Sequence, residues 1–337
     1  MTLSRSFLKY IGGSLLVVML SDASAAPDTD EDYRICLMQQ MEKADESDTV
    51  GAIRERCKVE IAANKLAQSS VPTPRLIERR ILLEREATEN RFALVQHKPS
   101  YILLTHNSNL NYEPFEPLSD DFELDPVEAK FQFSIKAELL DGLIKDRGRI
   151  FFGYTNQSYW QLFNQDNSGP FRETNHEPEL FFDMDSDYHL SGWHVPLLRF
   201  GLVHQSNGRS EPLSRSWNRV YAQFFFEKQK WAISFKPWIR IGGDSAEADN
   251  PEIDDYMGTY ELGIFRQGEH SEASLRLRNN LQSENRGSVE FNWSRSMPYS
   301  DKIRFLFQYF YGYGESLLDY NAVTNRVGLG LQLSNIL

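Results

Sequence analysis

The chain has 337 residues and a formal net charge of −12, enough length for one large domain plus an appendage. That charge, with no basic stripe, argues against a protein that tracks nucleic-acid phosphates; surplus carboxylates suit divalent cations or plain solubility. Aromatic residues reach 13%, with Phe 22, Tyr 15 and Trp 6, rich for a soluble protein and ordinary for a barrel girdled by aromatic side chains.

Residues 1–25 read as a secretory signal peptide. Arg5 and Lys9 form a basic start, Tyr10 to Leu20 is an apolar stretch too short to span a bilayer, and Ala23-Ser24-Ala25 is a small-residue cleavage site. The mature chain is then expected to begin near Ala26, with an uncleaved anchor as the alternative. Beyond Ala26 no apolar run is long enough for a membrane helix, and mean hydropathy is −0.50. A β-barrel leaves such a weak signal.

Residues 26–96 are expected to form an N-terminal periplasmic extension, a helical hairpin. Tyr33, Leu37 and Met41 mark one helical face, and Val50, Ile53, Cys57 and Ile61 another. Asp45 to Thr49 supplies a polar turn between them. A symmetric antiparallel pair turning there brings Cys36 opposite Cys57, the whole cysteine complement. Export to an oxidising compartment makes a disulfide the expected state, and a unit with so little core needs one. No activity is assigned to the extension: a plug, a partner-binding hairpin and a passive tail all stand open.

From residue 97 to 337 the period changes to two. Phe131, Phe133, Ile135, Ala137 and Leu139 alternate with Gln132, Ser134, Lys136 and Glu138. The same alternation recurs around Leu198–Leu202, Val220–Phe226, Leu275–Arg278, Val289–Trp293, Ile303–Tyr311 and Val327–Leu333. Successive strand residues point to opposite faces. With a signal peptide in front, the apolar face is expected to meet lipid and the Arg-, Glu- and Gln-bearing face a lumen. Closure removes edges whose backbone groups would stand unpaired in hydrocarbon. About a dozen such segments predict an all-β fold, an antiparallel transmembrane barrel with an even number of strands. A periplasmic β-sandwich is the alternative on pattern alone.

One segment breaks the lipid-facing pattern. Leu198, Phe200 and Leu202 are followed on the same face by His204 and Ser206. An imidazole facing hydrocarbon is costly, and function is the usual reason to tolerate it. Asn207-Gly208 opens a turn, and the chain returns from Ser216. If Ser206 pairs with Ser216, then His204 lies across from Asn218, within the roughly 4.5–5.5 Å of cross-strand neighbours. Ser206, His204 and Asn218 would supply a nucleophile, a base and an amide that holds the base's tautomer. Taken alone, these residues also suit a membrane–water rim, where Ser, His and Asn are ordinary.

At these residues the sequence resembles the outer-membrane phospholipase A family, the bacterial detergent-resistant phospholipases A. The shared text is YTNQSYWQLFNQDNSGPFRETNHEPEL (Tyr154–Leu180) and HQSNGRSEPLSRSWNR (His204–Arg219), continued by KPW (Lys236–Trp238), DNP (Asp249–Pro251) and YGYGESLLDYN (Tyr311–Asn321). The resemblance implies a twelve-stranded barrel that hydrolyses sn-1 and sn-2 acyl esters of phospholipids, and lysophospholipids, with Ca2+, as a homodimer in the outer membrane. It makes Ser206 the nucleophile, His204 the base and Asn218 its orienting partner, with the Gly208 N–H in an oxyanion hole. It places calcium on the Arg209 main-chain oxygen and the Ser214 hydroxyl, with Ser168 from the second protomer; these oxygen donors fit a hard cation. A second calcium position falls on Glu211 and Asp249, with Glu where the family pattern has Asp. Asn156 stands where a Gln is expected at the dimer interface, and Leu337 where barrels typically end in an aromatic residue. A porin or a structural barrel without hydrolase activity is the rival reading. Conductance would support the porin, but a lumen rich in Arg, Glu and Gln is expected to be filled.

Overall fold

The computed structural model describes residues 29–44, 48–59, 75–90, 92–115, 123–165, 169–242 and 250–333. The expected signal peptide, residues 1–25, lies outside them. The chain divides into two compact units, residues 1–73 and 74–337.

In the first unit, α1 (Thr29–Glu42) and a second helix, α2 (residues 50–59), are joined by a disulfide between Cys36 and Cys57, with Cα atoms 5.8 Å apart. Ile53 and Cys57 are buried, whereas Met41 and Val50, assigned to apolar faces by their spacing, are exposed. So small a core explains why a covalent staple is useful there.

The second unit is a closed antiparallel barrel of twelve strands: β2 (Tyr101–Asn107), β3 (Val127–Gly142), β4 (Gly148–Trp160), β5 (Phe171–Leu190), β6 (Trp193–Ser206), β7 (Ser216–Lys228), β8 (Trp231–Arg240), β9 (Tyr260–Gln267), β10 (Ser271–Asn279), β11 (Gly287–Met297), β12 (Ser300–Gly312) and β13 (Thr324–Leu333). Each pairs with its neighbour in sequence, and β13 pairs with β2 to close the wall. A two-residue strand, β1 (Val95–Gln96), adds to β3. Strands β4 and β7 have 13 residues each. At about 3.3 Å per residue and the usual tilt, that is enough to cross a hydrocarbon layer of about 30 Å.

The alternation sorts side chains as the sequence predicts. Val327, Leu329, Leu331 and Leu333 face outward and are exposed, while Arg326 before them and Gln332 among them are buried in the lumen. Buried charges pair there: Arg199 with Asp183 through two hydrogen bonds of 2.6 and 2.8 Å, Arg172 with Glu128 at 2.6 Å, and Lys130 with Glu315 at 3.2 Å. Buried ions are tolerated only when so paired. A lumenal cavity of about 250 Å³ remains, lined by Arg199, Glu179, Lys236 and Arg276 among others.

Helix α3 (Leu76–Thr88) departs from the sequence-based division, which put everything up to residue 96 in the extension. It belongs to the barrel's compact unit. Leu76 and Ile77 are buried against Leu197 and Ala232. Glu84 reaches buried Lys136 at 2.8 Å, and Arg80 donates to the His97 carbonyl at 2.7 Å. Helical periodicity reveals that a segment is a helix, not which wall its polar residues will neutralise.

The barrel has unequal ends. Strands β5 and β6 are joined by the tight turn Ser191-Gly192, and β7 and β8 by Gln229-Lys230, whereas longer segments link β4 to β5, β6 to β7 and β8 to β9. Short turns mark the periplasmic end and long loops the outer one.

Candidate active site

The β6–β7 hairpin lies in the outer wall and opens at the long-loop end. Its register sets Ser206 against Ser216, Gln205 against Trp217 and His204 against Asn218. Phe200 and Leu202 on β6 and Val220 on β7 are exposed outward. By alternation His204, Ser206 and Asn218 stand on that same face, and His204 and Asn218 are exposed. The His204 ring donates from Nδ1 to Asn218 Oδ1 at 2.7 Å. An amide oxygen can only accept, so the proton belongs on Nδ1 and the lone pair on Nε2. Ser206 is two residues along the strand, roughly 7 Å.

The opposite face of the hairpin fixes this display. Gln205, between His204 and Ser206, points inward and accepts from Trp217 Nε1 at 2.8 Å and from Arg219 at 3.0 Å. The Arg219 guanidinium stacks 3.9 Å from the Trp217 ring. These inward residues lock the pitch of both strands and so fix how His204 and Asn218 are presented on the outer face. The motif SRSWNR already held Trp217 and Arg219 on the alternate face from Asn218.

A residue the sequence reading passed over stands on the third strand. His176 of β5 pairs in register with Ser206. Its Nδ1 is approached by the Tyr154 hydroxyl at 2.7 Å and by Asn156 Nδ2 at 3.4 Å. Asn156 Oδ1 accepts from Ser158 at 3.2 Å, which turns its NH2 toward the ring. Two donors on Nδ1 leave the proton of a neutral ring on Nε2. That edge lies beside Gly208: a Cβ there would sit 3.9 Å from His176 Nε2.

The loop after β6 is tied by one buried side chain. Asn207 donates to the Leu213 carbonyl at 2.7 Å and accepts from the backbone N–H groups of Arg209 at 3.3 Å and Arg215 at 3.0 Å. Gly208 has φ +65°, a left-handed conformation that glycine takes without strain. The Arg209 side chain donates to the carbonyls of Phe171 and Arg172, at 2.8 and 2.9 Å, anchoring the loop on β5. Beside His204 and Asn218 a groove of about 540 Å³, lined by Phe152, Pro178, Leu180, Leu202 and Ile241, follows the outer wall.

The model of the family described as Phospholipase A1 matches residues 77–333. The chain belongs to the phospholipase A1 family. The phospholipase A1 of Proteus vulgaris is 38% identical over 248 residues, covering 74% of this chain and 84% of that protein. Outer membrane phospholipase A from Escherichia coli superposes with a TM-score of 0.69 at 36% identity, covering 74% of this chain and 95% of that one. A Salmonella typhi outer membrane phospholipase, solved as a dimer with bound calcium, also gives a TM-score of 0.69, at 38% identity and 74% and 94% coverage. As a member of this family the barrel is an enzyme of the outer membrane that hydrolyses phospholipids.

Two members of the expected phospholipase site, Ser168 and Asp249, lie outside the described residues. Arg209, Glu211 and Ser214 share the loop closed by Asn207, with Glu211 exposed. Their donors are a carbonyl, a carboxylate and a hydroxyl, all hard oxygens, and that chemistry fits calcium.

Proposed function

We propose that Ser206, His204 and Asn218 carry out the hydrolysis on the outer wall, at sn-1 and sn-2 esters and on lysophospholipids. The observation that carries this reading is the 2.7 Å hydrogen bond from His204 to Asn218 on an exposed, lipid-facing surface. It holds the ring with Nε2 as the base. Ser206 Oγ attacks the acyl carbonyl while His204 Nε2 takes its proton; the proton then passes to the departing glycerol oxygen, leaving an acyl ester on Ser206. A water, deprotonated in turn by His204, releases the fatty acid and restores the serine. The groove lined by Leu180 and Leu202 receives the acyl chain.

The oxyanion would form beside Gly208, whose N–H would donate to it. His176, held with its proton on Nε2, offers a second donor from the neighbouring strand. Donors fixed in place before reaction are worth most in a water-poor site.

Arg209, through its main-chain oxygen, and Ser214, through its hydroxyl, would hold calcium, with Ser168 of a second copy completing the set; Glu211 and Asp249 would hold a second ion. Bound there, calcium would supply positive charge toward the developing oxyanion. Such a shared site makes the homodimer the active form, and calcium binding and pairing reciprocally linked. The S. typhi relative, a dimer with bound calcium, supports this reading.

Replacing Ser206 with Ala tests the proposal. Fatty acid release from mixed micelles should vanish, with the barrel still folded, and sulfonyl fluoride should label wild type alone. Full activity in Ser206→Ala would refute a serine hydrolase.

A further inference from the structure

The periplasmic rim carries a second cluster of ligating groups, at the far end of β5 and β6 from Ser206. Asp187, His189 and His194 each bring one ligand atom into a set lying within 4.8 Å of one another. We infer that these three residues form a binding site for a borderline transition-metal ion, Zn2+.

Three features distinguish the cluster from a chance gathering of polar side chains. The first is an orphaned nitrogen. His194 is 3% exposed, yet its Nε2 has no hydrogen-bond partner. A buried ring nitrogen left so costs free energy that a ligand would recover.

The second is the direction of both rings. His194 Nδ1 lies 3.0 Å from Glu227 Oε1, and Glu78 Oε1 is 3.4 Å from the same nitrogen. His189 Nδ1 lies 3.2 Å from the Asp187 carbonyl. All these oxygens accept, so in the neutral rings the protons sit on Nδ1 and both Nε2 atoms present lone pairs. Glu227 is itself immobilised, since its Oε2 accepts from the Ile77 N–H at 2.7 Å. A carboxylate behind a ligating imidazole is the arrangement by which metal sites fix tautomer and raise basicity.

The third is distance. His194 Nε2 and Asp187 Oδ1 are 3.4 Å apart. Tetrahedral zinc with arms of about 2.0–2.1 Å separates its ligand atoms by about 3.3–3.5 Å. The two histidine rings lie with centroids 4.8 Å apart, so the His189 ring already stands beside that of His194. Two imidazoles and one carboxylate favour zinc over the hard cations, which take oxygen donors. Asp187, 86% exposed at its side chain, leaves a path for the ion and a place for water as the fourth ligand.

The site would clamp the β5–β6 turn. Its test uses the full chain, untagged and folded in detergent, stripped with chelator and then dialysed against limiting Zn2+ with calcium in excess to occupy oxygen sites. Wild type should retain one zinc per chain. His189→Ala and Asp187→Asn, both at exposed positions, should each weaken zinc binding at least tenfold while the barrel still resists heating in detergent. Co2+ loaded instead should show the intense visible absorption of a tetrahedral ion in wild type and lose it in either variant. Zinc retention equal in wild type and in the His189→Ala/Asp187→Asn double variant, whether both bind or neither does, would overturn the assignment and leave the cluster as an ion-paired rim.

Discussion

Removing Glu84 should cost the barrel about 3 kcal/mol, because it strands Lys136. The lysine is 1% exposed and its ammonium has Glu84 Oε2 at 2.8 Å. Deleting one partner of a buried pair costs about 3–5 kcal/mol, since the other is left as an uncompensated charge. The structure points to the lower end. The ammonium lies 4.4 Å from the centre of the Phe151 ring and 5.8 Å from that of Phe181, contacts worth about 0.5–2 kcal/mol. Arg80, which also bonds Glu84, retains the Gln96 and His97 carbonyls at 3.2 and 2.7 Å. Glu84→Leu should therefore lower the unfolding free energy by about 3 kcal/mol, measured by urea titration of the barrel in lipid vesicles with tryptophan fluorescence. Adding Lys136→Met should return stability to within about 1 kcal/mol of wild type, because an apolar pair of similar volume has no charge to desolvate. The pH dependence has a definite sign. Burial alone would raise the Glu84 pKa, but the nearby Lys136 and Arg80 charges outweigh it and hold the carboxyl well below its ordinary 4.5. Its contribution is thus fully present above about pH 4.5 and is lost as pH falls through the folded value. The gap between wild type and Glu84→Leu should close on acidification. A gap under about 1 kcal/mol at neutral pH would mean that Lys136 is hydrated or uncharged, and the pairing argument fails.

The remaining predictions concern the reaction. Asn218→Ala removes the 2.7 Å bond that orients His204; a hydrogen bond worth about 1.5–3 kcal/mol here lowers kcat about 10- to 150-fold, against complete loss in Ser206→Ala, and equal losses in the two would contradict an orienting role. His176→Phe, which keeps a ring and removes the Nε2–H beside Gly208, should lower kcat about 10- to 100-fold with little change in KM, and His176→Gln should recover part of it; an unchanged kcat would remove His176 from the oxyanion site. Mixing Ser206→Ala chains with Ser168→Pro chains, each inactive alone, should restore about a quarter of wild-type activity if pairing is random and sites act independently. No recovery in proven mixed dimers would place Ser168 in its own chain's chemistry, or in none.

Most of the barrel was legible because its physics is local. A strand shows its faces by alternation, so the outward set of Val327 to Leu333 and the pairing of His204 with Asn218 follow from sequence spacing and one turn. Long-range partners left no such trace. Glu84 finds its lysine 52 residues away, and nothing around α3 announces that the helix neutralises a barrel wall. His176 was hidden by Pro178 two residues on, which interrupts the strand pattern just where alternation would have placed its ring beside Ser206. Asn207 read only as a turn former; its three backbone bonds across the loop depend on how the loop closes. His189 and His194 stand on opposite sides of a tight turn, a proximity that the strand pairing creates.

The outward wall on which we place the reaction, at His204 and Asn218, has a consequence for how rate depends on substrate. A cleft in a soluble enzyme samples its substrate from three dimensions, and its saturation follows bulk concentration. Here the neighbouring Leu202 and Val220 are bathed in acyl chains, so the solvent and the substrate are one phase. Velocity should follow the mole fraction of cleavable lipid in the surrounding leaflet, and adding more vesicles of the same composition should change nothing. Diluting the leaflet with an ether-linked lipid, which offers the same chains without an ester, should slow the enzyme at constant total lipid.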